Sequence, residues 1–149
     1  MARLFTLGEA ERVLPAVSEA VHQAMRAKSR FAQAQHELAS ALRTLSMLGG
    51  VIPDTDKLKR MRTTSDEALS DLKAAVASIQ EYGCLLKDLD LGLIDFMTMY
   101  RGREVCLCWK SGEDGIHFWH GADEGYRGRK PIDDEFIAGH GTGEGPGRA

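Results

Sequence analysis

The chain has 149 residues, of which 43% are hydrophobic and 28% are charged, and its formal net charge is −3. This composition is typical of a soluble globular domain and argues against a general nucleic-acid binder, which needs an excess of basic residues. No apolar run reaches the roughly 18 residues of a membrane-spanning helix, and the N-terminal residues lack the apolar stretch of a signal peptide. We therefore expect a cytoplasmic protein, and the sequence predicts no membrane association.

A long first helix is predicted to open an antiparallel helical hairpin over residues 6–83. Thr6 and Glu9 have the spacing of a capping box, and the apolar residues that follow recur at alternating steps of three and four. This coiled-coil-like seam predicts a helix over about 7–47. Pro15 lies inside it and removes one backbone hydrogen bond, so we expect a kink there.

The second helix is predicted over about 57–82 and ends at Gly83, a residue suited to a helix C-terminus. It is shorter than the first helix, about 39 Å against about 60 Å. Pairing from the connecting loop therefore leaves residues 7–21 as an overhang that another element must cover. Lys28 and Gln35 interrupt the apolar seam, and polar seam residues often specify an oligomeric state. Because a bare hairpin leaves apolar flanks open, we expect a homo-oligomer, most simply a dimer.

Glycine becomes frequent after residue 83, and the pattern changes to that of a small antiparallel sheet. Residues 84–121 predict a three-stranded β-meander, with strands at about 85–97, 104–110 and 116–120. We expect this meander to pack on the overhang of the first helix, with Trp109 in the contact.

The predicted fold class is α+β. Residues 1–138 are expected to form a single domain, in which 122–138 are an irregular segment. The remaining residues, 139–149, are rich in glycine and are expected to be a disordered tail.

Cysteine and histidine are concentrated on two neighbouring predicted strands. Cys106 and Cys108 share one face, because alternate residues of a strand point to the same side. A four-residue turn would pair Cys108 with His117, and a five-residue turn would pair Cys106 with His120. Either register gives a cluster suited to zinc, and a metal site using Cys108, His117 and His120 is one prediction. The alternative is that the small cysteines only fill the face of the sheet.

Three further groups of residues suggest a site, and each has a structural alternative. Paired carboxylates suit acid–base catalysis but equally form a solvated acidic edge: Asp88, Asp90, Asp95 and Glu113. Basic residues beside glycines suit an anion but equally occupy surface turns: Arg101, Arg103, Arg127, Arg129 and Lys130. Aromatic residues suit a ligand pocket, although a small sheet also needs them to cover a helix: Trp109, Phe118, Trp119 and Tyr126.

A series of short motifs over about residues 4–133 resembles a bacterial family known only as domain of unknown function 2203. The motifs are Phe5-Thr6-Leu7, Leu14-Pro15, Gly83-Cys84, Lys87-Asp88, Gly92-Leu93-Ile94-Asp95-Phe96, Leu107-Cys108-Trp109, Gly112-Glu113, Trp119-His120, Gly125-Tyr126, Gly128-Arg129 and Pro131-Ile132. The resemblance implies no reaction. It does imply signature positions, at Lys87, Asp88, Asp95, Cys108, Trp109, Glu113, His120 and Arg129, and Cys106 is not among them.

The function expected from the sequence is a cytoplasmic homo-oligomeric interaction or ligand-binding module. Its polar site would lie on the β-meander and use Lys87, Asp88, Asp95, Trp109, Glu113, His120 and Arg129. The alternative is a metal-dependent or acid–base enzyme that uses the Asp, Glu, His and Cys residues of the same meander, with zinc as the expected metal. A protein partner is compatible with either function, whereas nucleic-acid binding through the nearly neutral helices is disfavoured.

Overall fold

The computed structural model describes residues 3–49 and 54–141. They form three α-helices, one 3₁₀ turn and an antiparallel sheet of six strands. The helices are α1 (Leu7–Met47), α2 (Thr55–Glu81) and α3 (Asp134–Gly139), and the 3₁₀ turn is Tyr126–Gly128. The strands are β1 (Leu85–Asp88), β2 (Leu93–Tyr100), β3 (Arg103–Lys110), β4 (Phe118–Gly121), β5 (Lys130–Pro131) and β6 (His140–Gly141). This is the predicted α+β class.

The described chain divides into two compact units. The hairpin unit is Gln23–Ala75 and contains most of α1 and α2. The sheet unit combines the residues up to His22 with those from Val76 onward, so it holds the start of α1, the end of α2 and all strands. None of the helices in the described ranges is long and apolar enough to span a bilayer.

The N-terminus of α1 has the predicted capping box. The backbone N–H of Glu9 donates to Thr6 Oγ1 at 3.1 Å, and the backbone N–H of Thr6 donates to Glu9 Oε1 at 2.9 Å. Phe5, just before the cap, is fully buried and packs edge-on against Phe96 of β2. The helix continues through Pro15, and the kink predicted there stays a prediction. Two reciprocal hydrogen bonds and a buried aromatic ring thus fix where α1 begins.

In the hairpin unit, α1 and α2 run antiparallel. The amide of Gln35 donates to Ser65 Oγ at 3.1 Å, and Arg30 forms an ion pair with Asp71. Residues later in α1 therefore contact residues earlier in α2, as in any antiparallel pair of helices. Asp54 caps α2 by accepting a hydrogen bond from the backbone N–H of Lys57 in its first turn.

The sheet has more strands than the three predicted. Its order is β1-β2-β3-β4-β5, all neighbours are antiparallel, and β6 pairs with the far end of β2. Residues 85–97, predicted as one strand, form β1 and β2 with a tight turn between them. In that turn Gly92 has φ 67° and Asp88 Oδ1 accepts a hydrogen bond from the N–H of Leu91. The other two extra strands have two residues each, too few to show an alternating pattern.

One face of the sheet, called here the apolar face, carries six buried residues in the sheet unit. They are Ile94, Phe96, Thr98, Val105, Leu107 and Trp109. The overhang of α1 is covered in the same unit, because Ala10, Leu14, Val17 and Val21 are all buried. A hydrogen bond of 3.1 Å between His22 Nε2 and Ser111 Oγ joins α1 to the turn after β3. The predicted packing of the sheet on the overhang is thus observed.

The segment 122–138, predicted to be irregular, contains the 3₁₀ turn, β5 and most of α3. Asp133 caps α3 by accepting the N–H of Phe136, whose ring stacks with Tyr100 and Trp119. The first three residues of the predicted tail are in regular structure, since Gly139 ends α3 and His140–Gly141 form β6. The rest of that predicted tail, 142–149, lies outside the described residues.

Candidate functional site

The second face of the sheet, called here the polar face, carries four buried side chains that can titrate or bind a metal, and they come from three adjacent strands. They are Asp95 of β2, Cys106 and Cys108 of β3, and His120 of β4. Asp95 lies opposite Cys108, and Cys106 lies opposite His120. Because alternate residues share a face, this register brings all four to the same side of the sheet. The observed β3–β4 register is the one predicted for a five-residue turn.

Asp95 and His120 are within hydrogen-bonding distance of each other on this face. His120 Nε2 lies 3.1 Å from Asp95 Oδ1, and the two residues are only 3% and 2% exposed. His120 Nδ1 lies 2.8 Å from the carbonyl oxygen of Gly121. A carbonyl oxygen only accepts hydrogen bonds, so Nδ1 carries the hydrogen and the ring is fixed with Nε2 directed at the carboxylate.

The two cysteines of the polar face are buried thiols with different neighbours. Cys106 Sγ lies 3.5 Å from the sulfur of Met97, while Cys108 Sγ accepts from Arg129 Nη1 at 3.9 Å. Burial, together with the Asp95 carboxylate, raises the pKa of Cys106 to about 12 and that of Cys108 to about 11. Both are therefore protonated at neutral pH, and neither has the low pKa of a nucleophilic cysteine.

An ion pair between Arg129 and Glu113 closes one end of the polar face. Arg129 Nη1 and Nη2 donate to the two carboxylate oxygens of Glu113 at 3.1 and 2.8 Å, and the guanidinium lies over the rings of Phe118 and Tyr126. Glu113 Oε1 also accepts the backbone N–H of Lys110 at 2.7 Å. Burial lowers the pKa of Arg129, but the hydrogen bond and charge of Glu113 together with the contact with Cys108 outweigh it, so the pKa is raised overall. These contacts tie the turn after β3 to the segment before β5.

The structure brings together some of the residues predicted as a site and separates others. Asp95 joins His120, and Arg129 joins Glu113 beside Cys108. The others lie apart. Lys87 is exposed, Asp88 supports the turn after β1, Trp109 belongs to the apolar face, and His117 is exposed beside Asp114.

Cys106 is the residue to which sequence reasoning gave too little weight. It is the third member of a buried group with Asp95 and His120, in which one ligand atom of each residue lies within 4.8 Å of the others. The signal that identifies it is the hairpin register. The observed register pairs Cys106 with His120, as predicted for a five-residue turn, although residues 111–117 connect the two strands.

Comparison with known proteins places the chain in one family. The family model described as an uncharacterized conserved protein, DUF2203, matches residues 3–132, which is most of the chain and includes α1, α2 and strands β1 to β5. The comparisons with curated proteins and with solved structures gave no match. The chain belongs to the DUF2203 family of uncharacterized conserved proteins.

Proposed function

We propose that this protein is a homo-oligomeric interaction module whose hairpin unit, Gln23–Ala75, forms the contact between copies. One observation supports the proposal. Among the described residues of this unit, every buried residue is alanine or serine: Ala24, Ala27, Ala34, Ser65, Ala68 and Ala75. Small residues let two helices approach closely, but they bury little apolar surface.

The larger apolar side chains of the hairpin unit remain in partial contact with solvent. Those that are half-buried are Met25, Phe31, Leu38, Leu45, Leu58, Met61, Leu69 and Leu72. Leu42 is 41% exposed. Two helices alone cover only the stripe between them, whereas a four-helix arrangement surrounds such side chains on all sides.

A second copy of the chain is the partner that fits this surface. It presents the same stripe of small and large apolar residues, so a two-fold contact matches it against itself. The polar seam residue Gln35 already has a partner inside one hairpin, because its amide donates to Ser65. The hairpin unit carries nine Lys/Arg against six Asp/Glu. Like-charged copies repel weakly, so the association is driven by apolar burial.

The three free cysteines support a reducing compartment, and we place this module in the cytoplasm. The polar face of the sheet would then serve as its ligand site.

The test is mass determination by light scattering during gel filtration. We expect a dimer for the natural chain and a monomer for Leu42→Glu, with an unchanged far-ultraviolet circular dichroism spectrum. Leu91→Glu is a matched control, because Leu91 is 42% exposed but lies in the turn between β1 and β2. It should remain dimeric. A natural chain that is monomeric at high micromolar concentration would disprove the proposal.

Salt provides a second criterion. An apolar contact between hairpins persists at about 0.5 M salt, where exposed charges are screened, whereas nucleic-acid binding weakens steeply. Dissociation of the dimer on adding salt would therefore contradict the mechanism.

A further inference from the structure

The Asp95–His120 contact places two hydrogen-bond acceptors opposite each other in a buried setting. In the neutral ring, an Nδ1 hydrogen donated to the carbonyl oxygen of Gly121 leaves a lone pair on Nε2. That lone pair faces Asp95 Oδ1 across 3.1 Å. Two acceptors at this distance repel unless a positively charged species lies between or beside them. The species is either one shared proton or a metal ion.

The position of Cys106 favours a metal ion over a shared proton as the positively charged species. Its sulfur, a carboxylate oxygen of Asp95 and a ring nitrogen of His120 all lie within 4.8 Å of one another. Around a tetrahedral zinc ion, with metal–ligand distances of about 2.0–2.3 Å, neighbouring ligand atoms are about 3.2–3.7 Å apart. Small side-chain rotations therefore suffice to bring the three atoms onto one ion. The bond from Nδ1 to a backbone carbonyl is also the support that metal-binding histidines usually have.

We propose that Asp95, Cys106 and His120 bind one divalent transition-metal ion, with zinc as the ion best suited to an oxygen, a sulfur and a nitrogen donor. Three protein ligands leave a fourth position for water or a small ligand. The proposal does not depend on self-association, since all three ligands belong to the sheet unit.

The charge of the site also suits a divalent ion. When the metal binds, the Cys106 thiol loses its proton to solvent, and any proton shared by Asp95 and His120 leaves as well. A thiolate and a carboxylate then balance the two positive charges. The occupied site is neutral, which a group of side chains only 2–3% exposed requires.

The experiment is reconstitution with cobalt(II), which reports on a thiolate ligand by absorption. Because the ligands are buried, the untagged full chain is refolded from urea with cobalt present. We expect one cobalt per chain and a thiolate-to-cobalt charge-transfer band. Cys106→Ser should lose the band, and Asp95→Asn and His120→Asn should lower the bound cobalt at least tenfold. Cys108→Ser should keep both, because Cys108 lies on the same face but outside the three ligands.

Two results would overturn the proposal. One is a refolded natural chain with its native circular dichroism spectrum and no bound cobalt, which would assign the contact to a shared proton. The other is loss of the band in Cys108→Ser with retention in Cys106→Ser. If Cys106→Ser does not refold, the double variant Cys84→Ser/Cys108→Ser tests whether Cys106 is the thiolate ligand, since Cys106 is its one remaining thiol. A band in that variant supports the site, and its absence refutes it.

Discussion

Replacing Arg129 by alanine is expected to lower the free energy of unfolding by about 2–3 kcal/mol. The value follows from the burial of the ion pair. The side chains of Arg129 and Glu113 are 14% and 19% exposed. Breaking a fully buried pair costs about 3–5 kcal/mol and an exposed pair contributes about 1 kcal/mol at most, so this pair lies between the two. Loss of the ring contacts at 4.1 and 4.3 Å adds to the cost.

The assay is urea unfolding followed by the fluorescence of the two tryptophans, one of which, Trp109, donates to the carbonyl oxygen of Glu113. Arg129→Lys should recover less than half of the loss, because an ammonium group cannot make two parallel hydrogen bonds to one carboxylate. A double-mutant cycle with Glu113→Gln should give a coupling energy of about 1–2 kcal/mol.

Arg30→Ala is the control for this prediction, because Arg30 and Asp71 form an ion pair that is about 60% exposed on both sides. It should change stability by less than about 0.5 kcal/mol. If Arg129→Ala also stays within about 0.5 kcal/mol of the natural chain, the structural role assigned to the pair is refuted. Arg129 would then be available for the ligand-binding role predicted from sequence.

Three further outcomes are expected. Thr6→Ala removes the cap of α1 and should cost about 1 kcal/mol in urea unfolding, while Thr6→Ser should cost only a few tenths. Burial raises the pKa of all three cysteines to about 11 or 12, so none should react with a thiol reagent at about pH 8 in the folded chain, and all three should react in urea. A fast-reacting thiol in the folded chain would contradict the burial. His140 Nε2 accepts the N–H of Leu7 at 3.0 Å, so His140→Ala should cost about 1 kcal/mol and speed amide exchange at the start of α1. Unchanged exchange there would show that water replaces the contact.

Local signals account for the parts of the fold that sequence reasoning predicted well. The Thr6–Glu9 capping box depends on a spacing of three residues, and α1 begins where it was expected. The end of α2 was marked by Gly83, whose φ of 88° few other residues adopt. Both signals are complete within a few neighbouring residues, so no knowledge of the tertiary structure is needed to read them.

Features that depend on long-range pairing were harder to predict. The turn between β1 and β2 was missed because Gly92 interrupts an otherwise extended pattern at only one residue. The group of Asp95, Cys106 and His120 requires two registers at once, that of β2 with β3 and that of β3 with β4. Sequence alone left two registers open for the second pairing. A shift of one residue would have moved His120 to the other face.

The sheet unit is assembled from both ends of the described chain, and this has a consequence for protein synthesis. The backbone N–H of Phe5 donates to the carbonyl oxygen of Met97 at 2.7 Å, so this contact of the N-terminal segment waits for a residue made much later. At about 5–20 residues per second, the delay is on the order of ten seconds. During that time the apolar side of the first turns of α1 has no sheet to cover it. On the ribosome, the first turns of α1 are therefore a site that a chaperone or a neighbouring nascent copy can bind before the sheet does.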